Sequence, residues 1–250
     1  MSAENNLKFS NSVLFGPLLA VLSIWIVFWI EVTFNVNLNE FGVKPRDILG
    51  LRGIVLSPFI HGSIEHLYNN TIPIATLTAA IFYFYKADAI KVLFFGILFS
   101  GLFTWLIGRP SYHIGASGLI YVLVSFIFFK GIIAKHYRLI ALSLAIVFLY
   151  GSMIWYIFPI KEGISWEGHL SGFLVGLLLA YVFKTKLITE KRYSWEREGY
   201  NEEEDEFLKH FDKDGNFIET PKEEVLQNEE SIRITYIIKK NQKGTSSGEH

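Results

Sequence analysis

Ser117 lies in the tetrapeptide Gly115-Ala116-Ser117-Gly118, at the head of an uncharged apolar run. A serine at a helix start has unsatisfied backbone N–H groups and the positive end of the helix dipole beside it, which are the groups a developing oxyanion needs. The same tetrapeptide suits a serine N-cap between small packing residues, so the motif alone leaves nucleophile and cap equally open. His169 heads another apolar run and stands within a Gly168, Gly172, Gly176 series at four-residue spacing, which lets a neighbouring helix backbone come close. If that neighbour is the helix of Ser117, with Gly118 as its own small residue, the imidazole can act as general base for the hydroxyl. The alternative for His169 is an interfacial histidine bonded to a carbonyl. His66 and Asn70 are four apart and share a helical face; both can donate hydrogen bonds, to an oxyanion together with the Ser117 N–H or in an interhelical polar clamp. His61, five residues before His66, either joins that site or anchors the segment it sits in. His113 stands just before the Ser117 motif.

No carboxylate reads as a third member of the set. Glu65 and Glu167 read as rim residues, and Glu167, two residues before His169, falls on another helical face. Tyr121 follows Ser117 by four residues on the same face, where its ring can stack against the imidazole. The chemistry is that of a Ser-His dyad, which needs no cofactor and no metal. With no cysteine in the chain, thiolate nucleophiles, disulfides and Cys-ligated zinc are excluded.

The elements that must position these residues are membrane spans. Of 250 residues 51% are apolar and 16% aromatic, more than a soluble core of this size needs. Uncharged apolar runs cover about 13 to 30, 66 to 85, 92 to 108, 114 to 129, 139 to 160 and 168 to 183. At about 1.5 Å per residue most reach across a hydrocarbon core of about 30 Å, the fourth and sixth being short. The expected fold is an all-α membrane protein, a bundle of six transmembrane helices with a soluble C-terminal tail. With the N-terminus inside, the inner segments hold ten Lys and Arg residues and the outer loops five, Lys44, Arg46, Arg52, Arg109 and Lys161. That asymmetry favours N-in and C-in, and it brings the heads of the second, fourth and sixth spans to one level near the outer face. The connection at about 32 to 63, with breakers at Gly50, Gly53, Pro58 and Gly62, suits a re-entrant or interfacial element.

Formal net charge is −1, but residues 1–186 carry 13 basic and 8 acidic groups while residues 187–250 carry 10 and 16. No overall basic excess draws the chain to nucleic acid. The expected domains are a cytoplasmic N-terminus (1–12), a membrane domain (13–186) and a charged cytoplasmic tail (187–250), for which the sequence names no partner. Within the tail Ser231 to Ile238 reads as a strand, and Asp212 to Asn216 as a turn, its glycine standing too early for a calcium loop.

The order His61, His66, Asn70, then Gly115-x-Ser117-Gly118 with Tyr121, then His169, Gly172 and Gly176, spread over six spans, resembles the rhomboid intramembrane serine proteases over about residues 10 to 186. One departure is that Leu51-Arg52 stands where the first loop of that family often carries Trp-Arg. The resemblance implies a nucleophile at Ser117, a general base at His169, and oxyanion donors at His66 and Asn70. It also implies substrates that are single-span or multi-span membrane proteins cut within the lipid bilayer, as expected of a bacterial cytoplasmic membrane. A pseudoprotease of the same fold would lack the Ser or the His. A channel would carry polar residues through its full depth, whereas Val122 to Phe129 and Phe173 to Phe183 are almost wholly apolar.

Overall fold

The computed structural model describes residues 9–161, 163–184 and, beyond these, 193, 195, 199–202, 205, 207–211 and 214–217. The described residues form seven α-helices and short 3-10 turns, with only two isolated β-bridges outside them. The helices are α1 (Asn11–Phe34), α2 (Gly53–Leu56), α3 (Ile64–Phe84), α4 (Lys86–Ile107), α5 (Ser117–Ala134), α6 (Tyr137–Tyr150) and α7 (Trp166–Val182). Four stretches are long and apolar enough to cross a membrane: α1, α4, α5, and α6 continued by the 3-10 segment Gly151–Ile157. Helix α3 has the length but carries His66, Asn69, Asn70, Thr71, Thr76 and Thr78, and α7 has 17 residues.

The apolar runs and the helices differ at their ends for local reasons. The fourth run begins at 114, yet α5 starts only at Ser117, because Gly115 takes φ +104°, a left-handed conformation that breaks regular helix. The fifth run extends to 160, yet its α-helix stops at Tyr150 and tightens into the 3-10 segment. Side chains cap two of the starts that matter: Ser63 Oγ accepts from the His66 N–H at 3.1 Å, and Ser165 Oγ accepts from the Gly168 N–H at 3.3 Å. No side chain caps α5.

Helix α5 is the centre of the bundle. Leu119, Ile120, Val122, Leu123, Phe126 and Ile127 are buried in a core shared with Leu67, Leu77 and Ile81 of α3 and Val175 and Leu179 of α7. Helix α1, by contrast, leaves Leu14, Leu19, Ile26 and Trp29 exposed, an apolar outer surface that hydrocarbon rather than water would satisfy. The connection between α1 and α3 folds back on itself, Gly53 lying against the Gly42–Val43 backbone, and it is tied to α4 where Trp105 Nε1 donates to the Asp47 carbonyl at 2.8 Å. Ile48, Leu49 and Val55 of this connection are exposed.

Residues 1–189 and 190–250 form separate units. In the second, Phe211 and Phe217 make an isolated antiparallel bridge and Gly215 between them has φ +83°, a chain reversal. The strand expected at Ser231 to Ile238 lies outside the described residues, as does most of the expected tail.

Candidate active site

The heads of α3, α5 and α7 meet. Ser117 Oγ stands 3.0 Å from His169 Nε2, and His169 Nδ1 stands 3.0 Å from the Tyr156 carbonyl oxygen. A carbonyl only accepts, so the neutral ring carries its proton on Nδ1 and leaves the Nε2 lone pair to accept from the Ser117 hydroxyl. That is the protonation state a general base needs. The Tyr121 ring stacks on the imidazole, with centroids 4.3 Å apart and planes 13° from parallel, and its hydroxyl donates to the Met153 carbonyl at 2.6 Å. Both aromatic groups are therefore tethered to the 3-10 segment that follows α6. His169 is buried and Ser117 half-buried.

The turn before Ser117 is held from the other side. The Gly115 N–H donates to the Ser57 carbonyl at 2.9 Å, and the Ala116 N–H reaches His61 Nε2 at 3.5 Å. His61 Nδ1 lies 3.3 Å from the Phe59 carbonyl, so one buried imidazole bridges the first connection and the Ser117 turn. Burial, and then the neighbouring His66, hold its pKa below the ordinary histidine range. A Cβ on Gly115 would come within 2.6 Å of His66 Cε1 and Nε2, so the His66 ring occupies the space a side chain would fill. Asn70, one turn further along α3 and buried, gives one amide N–H to the His66 carbonyl at 2.8 Å; its second amide hydrogen is a further donor. The first intrahelical bond of α5 runs from the Ile120 N–H to the Ala116 carbonyl, so the Ser117, Gly118 and Leu119 N–H groups have no intrahelical partner.

Helices α5 and α7 touch along their backbones. A Cβ on Gly172 would collide with the Gly118 carbonyl oxygen and lie 2.9 Å from Tyr121 Cβ; one on Gly176 would collide with the Val122 carbonyl oxygen and lie 2.8 Å from Ser125 Cβ. Gly118 and Gly168 do not share this closeness: a Cβ on Gly118 meets nothing nearer than 3.6 Å, and one on Gly168 meets its own cap, Ser165 Oγ. The α5 side of the seam is thus supplied by carbonyl groups rather than by the small size of Gly118.

Glu167 departs from the rim position expected of it. It is 2% exposed, its Oε1 accepts from the Arg109 backbone N–H at 3.2 Å, and its Oε2 lies 3.8 Å from Arg109 Nη1. It is turned toward the segment after α4, while the Tyr156 carbonyl occupies the Nδ1 side of His169. Backbone acceptors such as Tyr156 and Met153 have no signal in sequence, since every residue carries the same carbonyl. Ser165 and Arg109 also escape a sequence reading; for Ser165 the only hint is a serine followed two residues later by an acidic side chain. Among the described residues no group of three or more His, Cys, Asp or Glu side chains is disposed to hold a metal ion.

Residues 50–186 match the family model described as Rhomboid domain. Uncharacterized proteins of Mycobacterium bovis and Mycobacterium tuberculosis are each 34% identical over 176 residues, covering 65% of this chain and 71% of theirs. A further one from Mycobacterium leprae is 31% identical over 168 residues, covering 62% of this chain and 66% of its own.

Proposed function

The chain belongs to the rhomboid family, an intramembrane protease family of integral membrane proteins, and from that premise we propose that it is a serine endopeptidase that cuts transmembrane segments near the outer face of a bacterial cytoplasmic membrane. The observation that carries this reading is the 3.0 Å approach of Ser117 Oγ to His169 Nε2, with the opposite ring nitrogen bonded to a carbonyl. In this reading the membrane domain spans residues 13–186, crosses six times with both ends inside, and is followed by a cytoplasmic tail (187–250).

His169 Nε2 takes the Ser117 proton as Oγ attacks the peptide carbonyl, and the oxyanion is met by the Ser117 N–H with His66 and Asn70 as side-chain donors. The protonated imidazole then gives its proton to the leaving amine, leaving an ester on Ser117. Water enters from the outer side, loses a proton to His169 as it adds to the ester carbonyl, and the imidazolium returns that proton to Ser117 Oγ as the acyl–oxygen bond breaks and the acid leaves. Helix α5 is about 27 Å long at 1.5 Å per residue and Ser117 stands at its first position, which supports a hydroxyl nearer one face than the middle of the bilayer.

A spanning helix bonds all its carbonyls internally, so Ser117 reaches one only where the client unwinds. Clients weakened by Gly, Pro or polar residues in their outer third are the expected substrates. Beside Ser117 a pocket lined in part by Ser57, Ser100, Thr104, His113 and Gly168 suits a small residue before the cut bond.

Fluorophosphonate labelling of the detergent-solubilised chain tests the nucleophile. Wild type takes label and Ser117→Ala does not; undiminished labelling of Ser117→Ala removes Ser117 from the role. Mass-spectrometric mapping on single-span substrates tests the position, with cuts expected in the outer third and weakened when Gly or Pro there becomes Leu.

A further inference from the structure

The segment from Arg109 to His113 leaves α4, leads into the Ser117 turn, and on the way grips the first turn of α7. Arg109 Nη2 donates to the Ile164 carbonyl at 2.7 Å, and the Arg109 backbone N–H and guanidinium both face the buried Glu167 carboxylate. His113 Nδ1 stands 2.6 Å from Ser165 Oγ, and His113 Nε2 stands 3.1 Å from the Arg109 carbonyl, which closes the ring on itself. On its other flank His113 exchanges both backbone hydrogen bonds with Val43, at 2.9 and 3.0 Å. His113 as a whole is 5% exposed.

The direction of each bond is determined. The Arg109 carbonyl only accepts, so His113 carries its proton on Nε2, and the Nδ1 lone pair accepts a hydrogen bond from the Ser165 hydroxyl. The Ser165 oxygen is then free to accept from the Gly168 N–H, while the Ser165 carbonyl accepts from the His169 N–H at 3.2 Å. The backbone N–H groups of His169 and of the residue before it thus both end on Ser165, and Ser165 ends on His113. Ser117 follows His113 by four residues and His169 follows Ser165 by four. Two side-chain hydrogen bonds, one of 2.6 Å and one of 3.0 Å, therefore close a small loop that contains both reacting groups.

We infer that His113, acting through Ser165, is a positioning residue that holds the first turn of α7 at the height where the His169 imidazole meets Ser117. The inference rests on the serine-histidine reading above. A buried cap whose hydroxyl loses its acceptor must find another or remain unsatisfied, and either response shifts the turn that carries His169. Displacements of the order of 1 Å at a reacting pair cost about 100-fold in rate.

Two isosteres separate the halves of the imidazole in the full chain. In His113→Asn the side-chain oxygen lies where Nδ1 was and keeps an acceptor for Ser165; in His113→Gln the amide nitrogen lies where Nε2 was and keeps only the donor to Arg109. The measurements are kcat on a single-span substrate, the rate of fluorophosphonate labelling, and the melting temperature. His113→Gln is expected to lower kcat and labelling rate together by about 10 to 100-fold, with His113→Asn staying within about threefold of wild type. Ser165→Ala should fall like His113→Gln, and Ser165→Thr, which keeps the hydroxyl, should recover. Equal losses in the Asn and Gln variants that track the melting temperature overturn the inference, as does an unchanged Gln variant in a chain whose wild type labels and cleaves. A wild type that takes no label overturns the serine-histidine reading itself, and this inference with it.

Discussion

The two ends of the α5–α7 seam are made of the same two helices and do different things. At the Ser117 end the contacts are polar and directional: Ser117 to His169, Tyr121 against the imidazole and, just before the two helices begin, His113 to Ser165. Further along, backbone lies on backbone at Gly172 and Gly176, and a hydrogen bond from Ser125 Oγ to the Phe173 carbonyl at 2.7 Å is the polar exception. Near the far end Lys130 Nζ donates to the Ala180 and Phe183 carbonyls, a cation at the C-terminus of α7 where the helix dipole favours it. The difference teaches a division of labour. The glycine contacts set how far apart the axes lie, which decides whether an imidazole can reach a hydroxyl at all, and the Ser117 end supplies groups whose direction matters once that distance is set.

Substitution at the glycines should have the largest effect and should not separate stability from activity. Gly172→Leu drives a side chain into the Gly118 carbonyl and Tyr121, both backbone-fixed or stacked, so the axes must part. Overpacking of this kind costs about 1 to 3 kcal/mol, and melting temperature and cleavage are expected to fall together. A Gly172→Leu chain that melts like wild type and cleaves normally would show that the seam does not set the Ser117–His169 distance.

Removal of one side-chain donor from the neighbouring helix α3 should separate them. Asn70→Ala is expected to lower turnover by about 10 to 1,000-fold, the range for a single oxyanion donor, with little change in melting temperature. The loss of its bond to the His66 carbonyl is a local one within α3, since that carbonyl also serves the helix ladder. Equal turnover would take Asn70 out of the oxyanion set.

Gly118→Ala should do least, although it lies between the two ends. An added Cβ there meets the Gly168 carbonyl oxygen at 3.6 Å and Ser100 Oγ at 3.9 Å, ordinary van der Waals distances. Melting temperature should move by no more than about 2 °C and cleavage by no more than about threefold, in keeping with a substitution that changes stability by about 0.5 kcal/mol or less. A collapse on the scale of Gly172→Leu would mean that the space beside Ser117 must stay empty for the substrate.

Residue type and spacing were enough for much of this molecule. Uncharged runs long enough for a bilayer are read directly from composition, because hydrocarbon tolerates no charge and the helix rise is constant. Ser117, His169, His66 and Asn70 stood out for the same reason, as polar groups in apolar runs. Gly172 and Gly176 declared a close approach, because only an absent Cβ permits one. The partners of those groups came only with folding. That His169 turns its Nδ1 to the Tyr156 carbonyl, that Glu167 is buried beside Arg109 rather than lying at a rim, and that His113 ends on the α7 cap depend on contacts between residues up to 58 apart in the chain. A one-dimensional pattern marks which side chains are costly to bury; it cannot say which carbonyl will satisfy them, because every carbonyl in the chain is chemically the same until packing brings one within 3 Å.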